Sequence, residues 1–283
     1  MRTRFDNNEH NLLQLRITYL GGNYMGNEKY ERIAKALKRA ELDVKAIGPI
    51  SKLYPELGID DAYSIQMLNI KSAIESGRKI TGKKIGLTSL AMQNLLGVNQ
   101  PDFGHLMDYM EVENNTIERS RMLQPKVEGE IAFVLKEDIQ GPNVTAEDVI
   151  NSTEYVAAAI EIVDSRILDW KINIVDTIAD NASSGMYIIS EKKVSPKSVD
   201  LRKITMDLFK NGEKINSGTG ADVLGDPAYA VAWLANILWE YGVKLKKGDI
   251  ILSGALTAAL VAEAGDEFKA SFSELGDISV RFI

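Results

Sequence analysis

Residues 126–135 read KVEGEIAFVL. The run is apolar enough for a buried strand, yet it carries Glu128 and Glu130 two positions apart. Side chains alternate across a strand, so these two glutamates share one face while Val127, Ile131 and Phe133 turn to the other, into a core. Two neighbouring carboxylates repel, and burial raises the cost of their charge. A hard divalent cation relieves both penalties, because Mg²⁺ and similar ions take carboxylate oxygens and keep some waters. Downstream, AAAIEIVDSRI sets Glu161 between Ile160 and Ile162 in a second apolar run. Three carboxylates on two strands would leave metal positions open for water and substrate. An ExE pair equally suits a solvated strand face or ion pairs with Lys and Arg, and Asp164 and Arg166 are spaced to pair with each other.

The bulk properties narrow the field. The chain has 283 residues, 45% of them hydrophobic, enough for a large core. Thirty-three basic and 40 acidic residues give a net charge of -7. No Lys/Arg run is long enough to track a phosphate backbone, so nucleic acid is not expected as a partner. No apolar stretch approaches the length of a membrane span, so no membrane association is expected. With no cysteine, disulfides, thiolate catalysis and Cys-based metal sites are excluded. No signal-peptide pattern is present, and a cytoplasmic location is the expectation.

Residues 1–24 lack a helical period and read as a leader, either a disordered tail or sequence upstream of a native start at Met25. Gly21-Gly22-Asn23-Tyr24 can be encoded by GGAGGAAATTAT, a purine-rich ribosome-binding site ahead of the Met25 codon. Residues 25–80 read as an N-terminal helical region and 81–283 as a strand-rich catalytic body, an α+β arrangement. Tyr30, Ile33, Ala34, Leu37 and Ala40 mark one helical face. A second helix is predicted from Asp60, as its cap, to Gly77, with Tyr63, Met67, Ile70 and Ile74 as its stripe. Ser89 is placed to cap a brief helix through Leu96. Thr145 to Asp148 resembles a capping box, and Asp226-Pro227 is a strong helix start. Asn211-Gly212 is a hairpin turn between two strand-like runs, and GDIILSG and GDISVRFI read as strands.

Weaker candidates accompany the glutamates. Lys84 in GKKIGLTS could hold a substrate carboxylate or snorkel at the surface. Asp102 in QPDFG suits a turn better than an acid/base when read unaided. DNASSG (180–185) and ILSGAL (251–256) offer small residues, hydroxyls and close backbone approach. His10 lies in the leader, and His105 alone reads as structural.

Taken in order, KKIGLTSLAMQNLLGVNQPDFGHLMD, KVEGEIAFVL, IEIVDSRILDWKI, VDTIADNASSG, DPAYAVAWLAN and GDIILSGAL closely resemble the 2-keto-4-pentenoate (2-hydroxypenta-2,4-dienoate) hydratase family. That family includes the 4-oxalocrotonate decarboxylases and belongs to the fumarylacetoacetase-like superfamily. The resemblance spans residues 28–283. It implies a twisted, mostly antiparallel β-roll body with a helical region ahead of it. It also implies Mg²⁺ or Mn²⁺ on Glu128, Glu130 and Glu161, with Lys84, Asp102 and Ser183 as catalytic residues. The implied substrate is a 2-hydroxydienoate from aromatic meta-cleavage catabolism, hydrated to 4-hydroxy-2-oxopentanoate. A homo-oligomer is expected, as is association with the pathway's decarboxylase or hydratase counterpart.

Within the family, SRILDWKI, VDTIADNASSG and AVAWLAN look like the hydratase branch, whereas ALTAAL after Ser253-Gly254 looks like the decarboxylases. A decarboxylase must hold a second carboxylate, and Arg166 and Lys171 are the cations the sequence offers for it. A fumarylacetoacetase-type C–C hydrolase would need a histidine to activate water, and only His105 lies in the body. A non-catalytic partner protein would be expected to have lost the three glutamates.

Overall fold

A computed structural model describes residues 28–89, 93–94 and 97–283. The leader, Met25, His10 and much of the short helix expected from Ser89 to Leu96 fall outside the described residues. The helices are α1 (Glu28–Leu42), α2 (Ile50–Leu53), α3 (Ile59–Glu75), α4 (Ala146–Ser152), α5 (Ile174–Ala179) and α6 (Pro227–Glu240). The strands are β1 (Ile80–Gly86), β2 (Asp102–Met107), β3 (Thr116–Ile117), β4 (Lys126–Leu135), β5 (Thr153–Val163), β6 (Ser184–Ile189), β7 (Thr205–Lys210), β8 (Glu213–Thr219), β9 (Ile250–Ala255), β10 (Leu260–Val261), β11 (Glu267–Phe272) and β12 (Gly276–Phe282).

Helix α1 buries Tyr30, Ile33, Ala34, Leu37 and Ala40, the face its periodicity predicts. It lies on α3, where Asn69 Nδ2 donates to the Ala34 carbonyl at 3.0 Å. The start of α3 differs from the sequence expectation. Gly58, not Asp60, is the cap residue, and the Asp61 carboxylate accepts from Gly58 N at 2.8 Å. Asp60 is already inside the first turn, where its charge suits the positive end of the helix. Gly77, with φ of 93°, closes the helix as expected. Thr145 and Asp148 form the capping box of α4 through reciprocal bonds of 2.9 and 3.2 Å. Asp226 Oδ1 accepts from Ala228 N at 2.8 Å to start α6.

Among the described residues the strands form two sheets. The larger follows the order β2-β1-β9-β4-β5-β6, with β10 added beside β4. Its contacts are antiparallel except for β1 against β9. The smaller follows β3-β12-β11-β7-β8, and only its β3–β12 contact is parallel. The Asn211-Gly212 turn joins β7 to β8, with both residues at positive φ.

Strand β4 is the hinge of this architecture. Its Val127, Ile131 and Phe133 are wholly buried, on the face opposite Glu128 and Glu130. On that apolar face Gly129 packs against Met206 of β7 and Ala270 of β11, so the small sheet covers the back of the large one. Burying each such Val, Ile or Phe contributes about 1.5–3 kcal/mol. The same core runs from Tyr30 and Leu37 in α1 through Phe133 and Ile160 to Phe268 and Phe282 in the small sheet. The opposite face of β4 is left for the acidic residues.

Candidate metal centre and active site

Register brings the glutamates together. Glu128 on β4 lies directly across from Glu161 on β5, and Glu130 follows two residues along the same face. One oxygen from each of the three carboxylates lies within 4.8 Å of the others. Glu130 and Glu161 are almost fully buried and Glu128 is partly exposed. Gly254 N donates to Glu130 Oε2 at 2.8 Å, which realises the close backbone approach that ILSGAL suggests. Glu130 Oε1 and both Glu161 oxygens have no hydrogen-bond partner.

Lys84 reaches this cluster from β1, its Nζ 3.3 Å from Glu161 Oε1. Strands β1 and β5 are three places apart in the sheet, about 14 Å if it were flat. An ion pair across that span shows that the sheet curls around the site. Asp102 begins β2 and lies opposite Gly86 of β1. It is 1% exposed, in a buried strand and not in a turn, which corrects the unaided reading of QPDFG. Its Oδ2 accepts from Thr177 Oγ1 at 3.3 Å, and its Oδ1 has no partner. Gly86 makes room for it, because a Cβ there would sit 2.2 Å from Asp102 Oδ1 and 3.4 Å from Lys84 Nζ. Ser183 follows α5 in a tight turn, with its buried Oγ also unpartnered.

The electrostatics are those of a charge-heavy, nearly dry site. Burial first, and then the charge of Glu161, pushes Glu128 up to about 7. Burial followed by Glu161 and Glu128 holds Glu130 well above the carboxylate range. Glu161 is raised by burial, with Lys84 opposing. Burial alone would depress the Lys84 ammonium, but Glu161, Asp102, Glu128 and Glu130 outweigh it and raise it. The carboxylates thus favour the ammonium form of Lys84 in the metal-free site. Asp102 is raised, mainly by burial, with Lys84 opposing.

Two expected partners part company. Asp164 does not pair with the Arg166 side chain; its carboxylate accepts from Leu123 N and Gln124 N at 2.9 and 2.6 Å. Arg166 instead meets Asp180, Nε to Oδ1 at 2.5 Å. Lys171 is exposed and paired with Asp169 at 2.7 Å. Both cations offered for a second substrate carboxylate are thus committed elsewhere. His105 is structural, its Nδ1 2.9 Å from Gln66 Oε1. Thr177 was not singled out from the sequence; it meets Asp102 only through packing of α5 on β2, which no local motif announces.

The site suits a metal. Three carboxylates, two of them buried, face one ammonium, all the donors are hard oxygens, and Glu130 Oε1 and Glu161 Oε2 have no protein partner. The sequence profile of the family described as fumarylacetoacetate (FAA) hydrolase C-terminal matches residues 100–283.

The chain belongs to the fumarylacetoacetate hydrolase family.

Its relatives within that family are specific. The chain is 46% identical over 257 residues to a 2-hydroxyhexa-2,4-dienoate hydratase of Comamonas testosteroni, covering 89% of this chain and 95% of the relative. It is 42% identical over 259 residues to a 2-keto-4-pentenoate hydratase of Paraburkholderia xenovorans, covering 91% and 96%. A solved 4-oxalocrotonate decarboxylase from Pseudomonas putida, complexed with magnesium and adipate, matches with a TM-score of 0.88 at 38% identity, over 90% of this chain and 98% of that one. The fold is therefore the α+β, fumarylacetoacetase-like one, and this family member carries a buried acidic triad able to bind metal. No described helix is long and apolar enough to cross a membrane.

Proposed function

We propose that this chain is a metal-dependent hydro-lyase that adds water to 2-hydroxypenta-2,4-dienoate, giving 4-hydroxy-2-oxopentanoate. The observation that carries the reading is the convergence of Glu128, Glu130 and Glu161 beside Lys84, in a chain whose 42–46% identical relatives are named as dienoate hydratases. Glu128, Glu130 and Glu161 would hold Mg²⁺ or Mn²⁺. A divalent ion there supplies fixed positive charge beside the substrate's carboxylate end, where negative charge develops as the dienol ketonises.

The protein groups divide the remaining work. Lys84, 3.3 Å from Glu161, donates hydrogen bonds to the substrate's oxygens as an ammonium. Asp102 carries protons at its open Oδ1, while Thr177 fixes the other oxygen. Protonation at C5 of the dienol gives a conjugated enone. Water then adds, its oxygen to C4 and a proton to C3, so that the sum is one water gained. Ser183 offers a buried hydroxyl to orient the bound oxygens. Burial of Lys84, Asp102, Glu130, Glu161 and Ser183 limits bulk water around these groups.

Decarboxylation of 2-oxo-3-hexenedioate is the second reading, favoured by the match to the decarboxylase structure. Arg166 and Lys171 do not supply the cation its second carboxylate requires. The hydratase reading extends to a cytoplasmic homo-oligomer working in aromatic meta-cleavage catabolism, in association with the pathway's decarboxylase. To test the reaction, loss of the dienol absorbance is followed with Mg²⁺, with EDTA, and after Mg²⁺ is restored. Activity that survives EDTA, or that survives Glu130→Gln undiminished, would remove the metal from the mechanism.

A further inference from the structure

Asn181, Ala182 and Ser183 all sit at positive φ, 55°, 51° and 53°. Three consecutive non-glycine residues in the left-handed region persist only where their surroundings over-determine them. Two sets of contacts do so. Asn181 pairs with the backbone of His105 on β2, its Oδ1 accepting from His105 N at 2.8 Å and its Nδ2 donating to His105 O at 2.9 Å. The preceding strand residue is Gly104, opposite Lys84 in the β1–β2 register, where a Cβ would fall 2.4 Å from the Asn181 carbonyl oxygen.

The second set is Arg166, five residues beyond Glu161. Its Nη2 donates to the Asp180 carbonyl and its Nη1 to the Ser184 carbonyl, the latter at 2.6 Å. Those two carbonyls bracket the three left-handed residues. The same Nη1 also reaches the Asp164 carbonyl at 2.7 Å, and Nε and the Arg166 backbone N–H both bind the Asp180 carboxylate. The turn closes on β5 as well, through Asp164 N to Ser183 O at 2.8 Å. Only a planar fork of donors spans both ends of such a turn; a lysine ammonium carries its donors at a single point. What the clamp holds in place is the Ser183 hydroxyl, buried and free of any protein partner.

We propose that Arg166 is a positioning residue: its guanidinium locks the left-handed 181–183 turn and so fixes the Ser183 hydroxyl for turnover, without touching substrate. This rests on the role for Ser183 given above. The experiment is a double-variant cycle in Mg²⁺-loaded enzyme with 2-hydroxypenta-2,4-dienoate, using Arg166→Lys, Ser183→Ala and the two combined. Arg166→Lys keeps the charge and, with its near-UV circular dichroism and Mg²⁺ binding unchanged, is expected to lose about tenfold to a hundredfold in kcat with KM little moved. In the Ser183→Ala background the same change is expected to have no further effect on kcat. Losses that multiply in the double variant, or full kcat in Arg166→Lys, would overturn the proposal. Full activity in Ser183→Ala alone would instead overturn the serine's role, and the clamp's role with it. Asp180→Asn, which loosens the same clamp with a side chain of equal size, is taken through the same cycle with the same expected result if Arg166→Lys does not fold.

Discussion

Glu161→Gln is expected to make the metal-free protein more stable while it destroys metal binding. Two carboxylates lie within 4.8 Å of Glu161, each repelling it by about 3.5 kcal/mol at an effective dielectric near 20. Lys84, at 3.3 Å, returns about 5 kcal/mol on the same scale. With all three ionised the balance is about 2 kcal/mol against Glu161, before any cost of burial; holding a proton on Glu130 instead costs folding free energy of its own at pH 8, so removing the Glu161 charge relieves the site either way. Glutamine keeps the shape, can donate to a neighbouring carboxylate and can accept from Lys84. The sign with pH follows from the direction of the shifts. The three folded-state carboxylates are raised, so the penalty grows as pH rises above the unfolded range and is present for Glu128 above about 7. The measurement is therefore thermal unfolding at pH 8 in EDTA. Glu161→Gln should melt higher than wild type by roughly 4–8 °C. Excess Mg²⁺ should then raise the wild-type Tm, by the equivalent of about 2.7 kcal/mol at a hundred times Kd, and leave the variant where it was. A variant that melts several degrees lower in EDTA, or that gains as much from Mg²⁺ as wild type, would refute the reasoning.

Other outcomes follow from the same geometry. Lys84→Met should fold, bind Mg²⁺ and lose roughly 10²–10⁴ in kcat, since it removes the buried donor proposed to bind the substrate oxygens; turnover within twofold of wild type would remove Lys84 from the chemistry. Asp102→Asn should cost a similar factor while Mg²⁺ binding by calorimetry stays intact. His105 is held well below its ordinary value, by burial and then by the charge of Lys83. Unfolded it takes a proton near pH 6.5 and folded it does not, so its contribution is present above that pH and lost below it, by up to about 1.4 kcal/mol per pH unit. Chemical denaturation between pH 5 and 7 should show this as the difference in slope between wild type and His105→Gln, because the raised carboxylates contribute with the opposite sign to both proteins alike.

Much of this site was readable because its signals are local. The period-two spacing of Glu128 and Glu130 against Val127 and Ile131 placed both carboxylates on one face, and the β4–β5 register added Glu161 opposite them. Caps at Thr145 and Asp226 and the turn at Asn211-Gly212 were legible for the same reason. What stayed hidden depends on the curl of the large sheet. It carries Lys84 across three strand spacings to Glu161, and the parallel β1–β9 contact joins segments more than 160 residues apart. Asp102 was misread because PDFG has turn chemistry, yet its aspartate is sheltered by Gly86 and Thr177 from other elements. Asp164 and Arg166 looked like a pair by spacing, but two backbone N–H groups satisfy the first, and Asp180, fourteen residues on, takes the second.

Product mass tests the central claim most directly. Purified protein with Mg²⁺ is given 2-hydroxypenta-2,4-dienoate and 2-oxo-3-hexenedioate in separate tubes, each paired with an EDTA control. Gain of one water on the first substrate, abolished by EDTA, is the result the account requires. Loss of CO₂ from the second, with the first returned unchanged, would contradict it and make the chain a decarboxylase built on the same three glutamates.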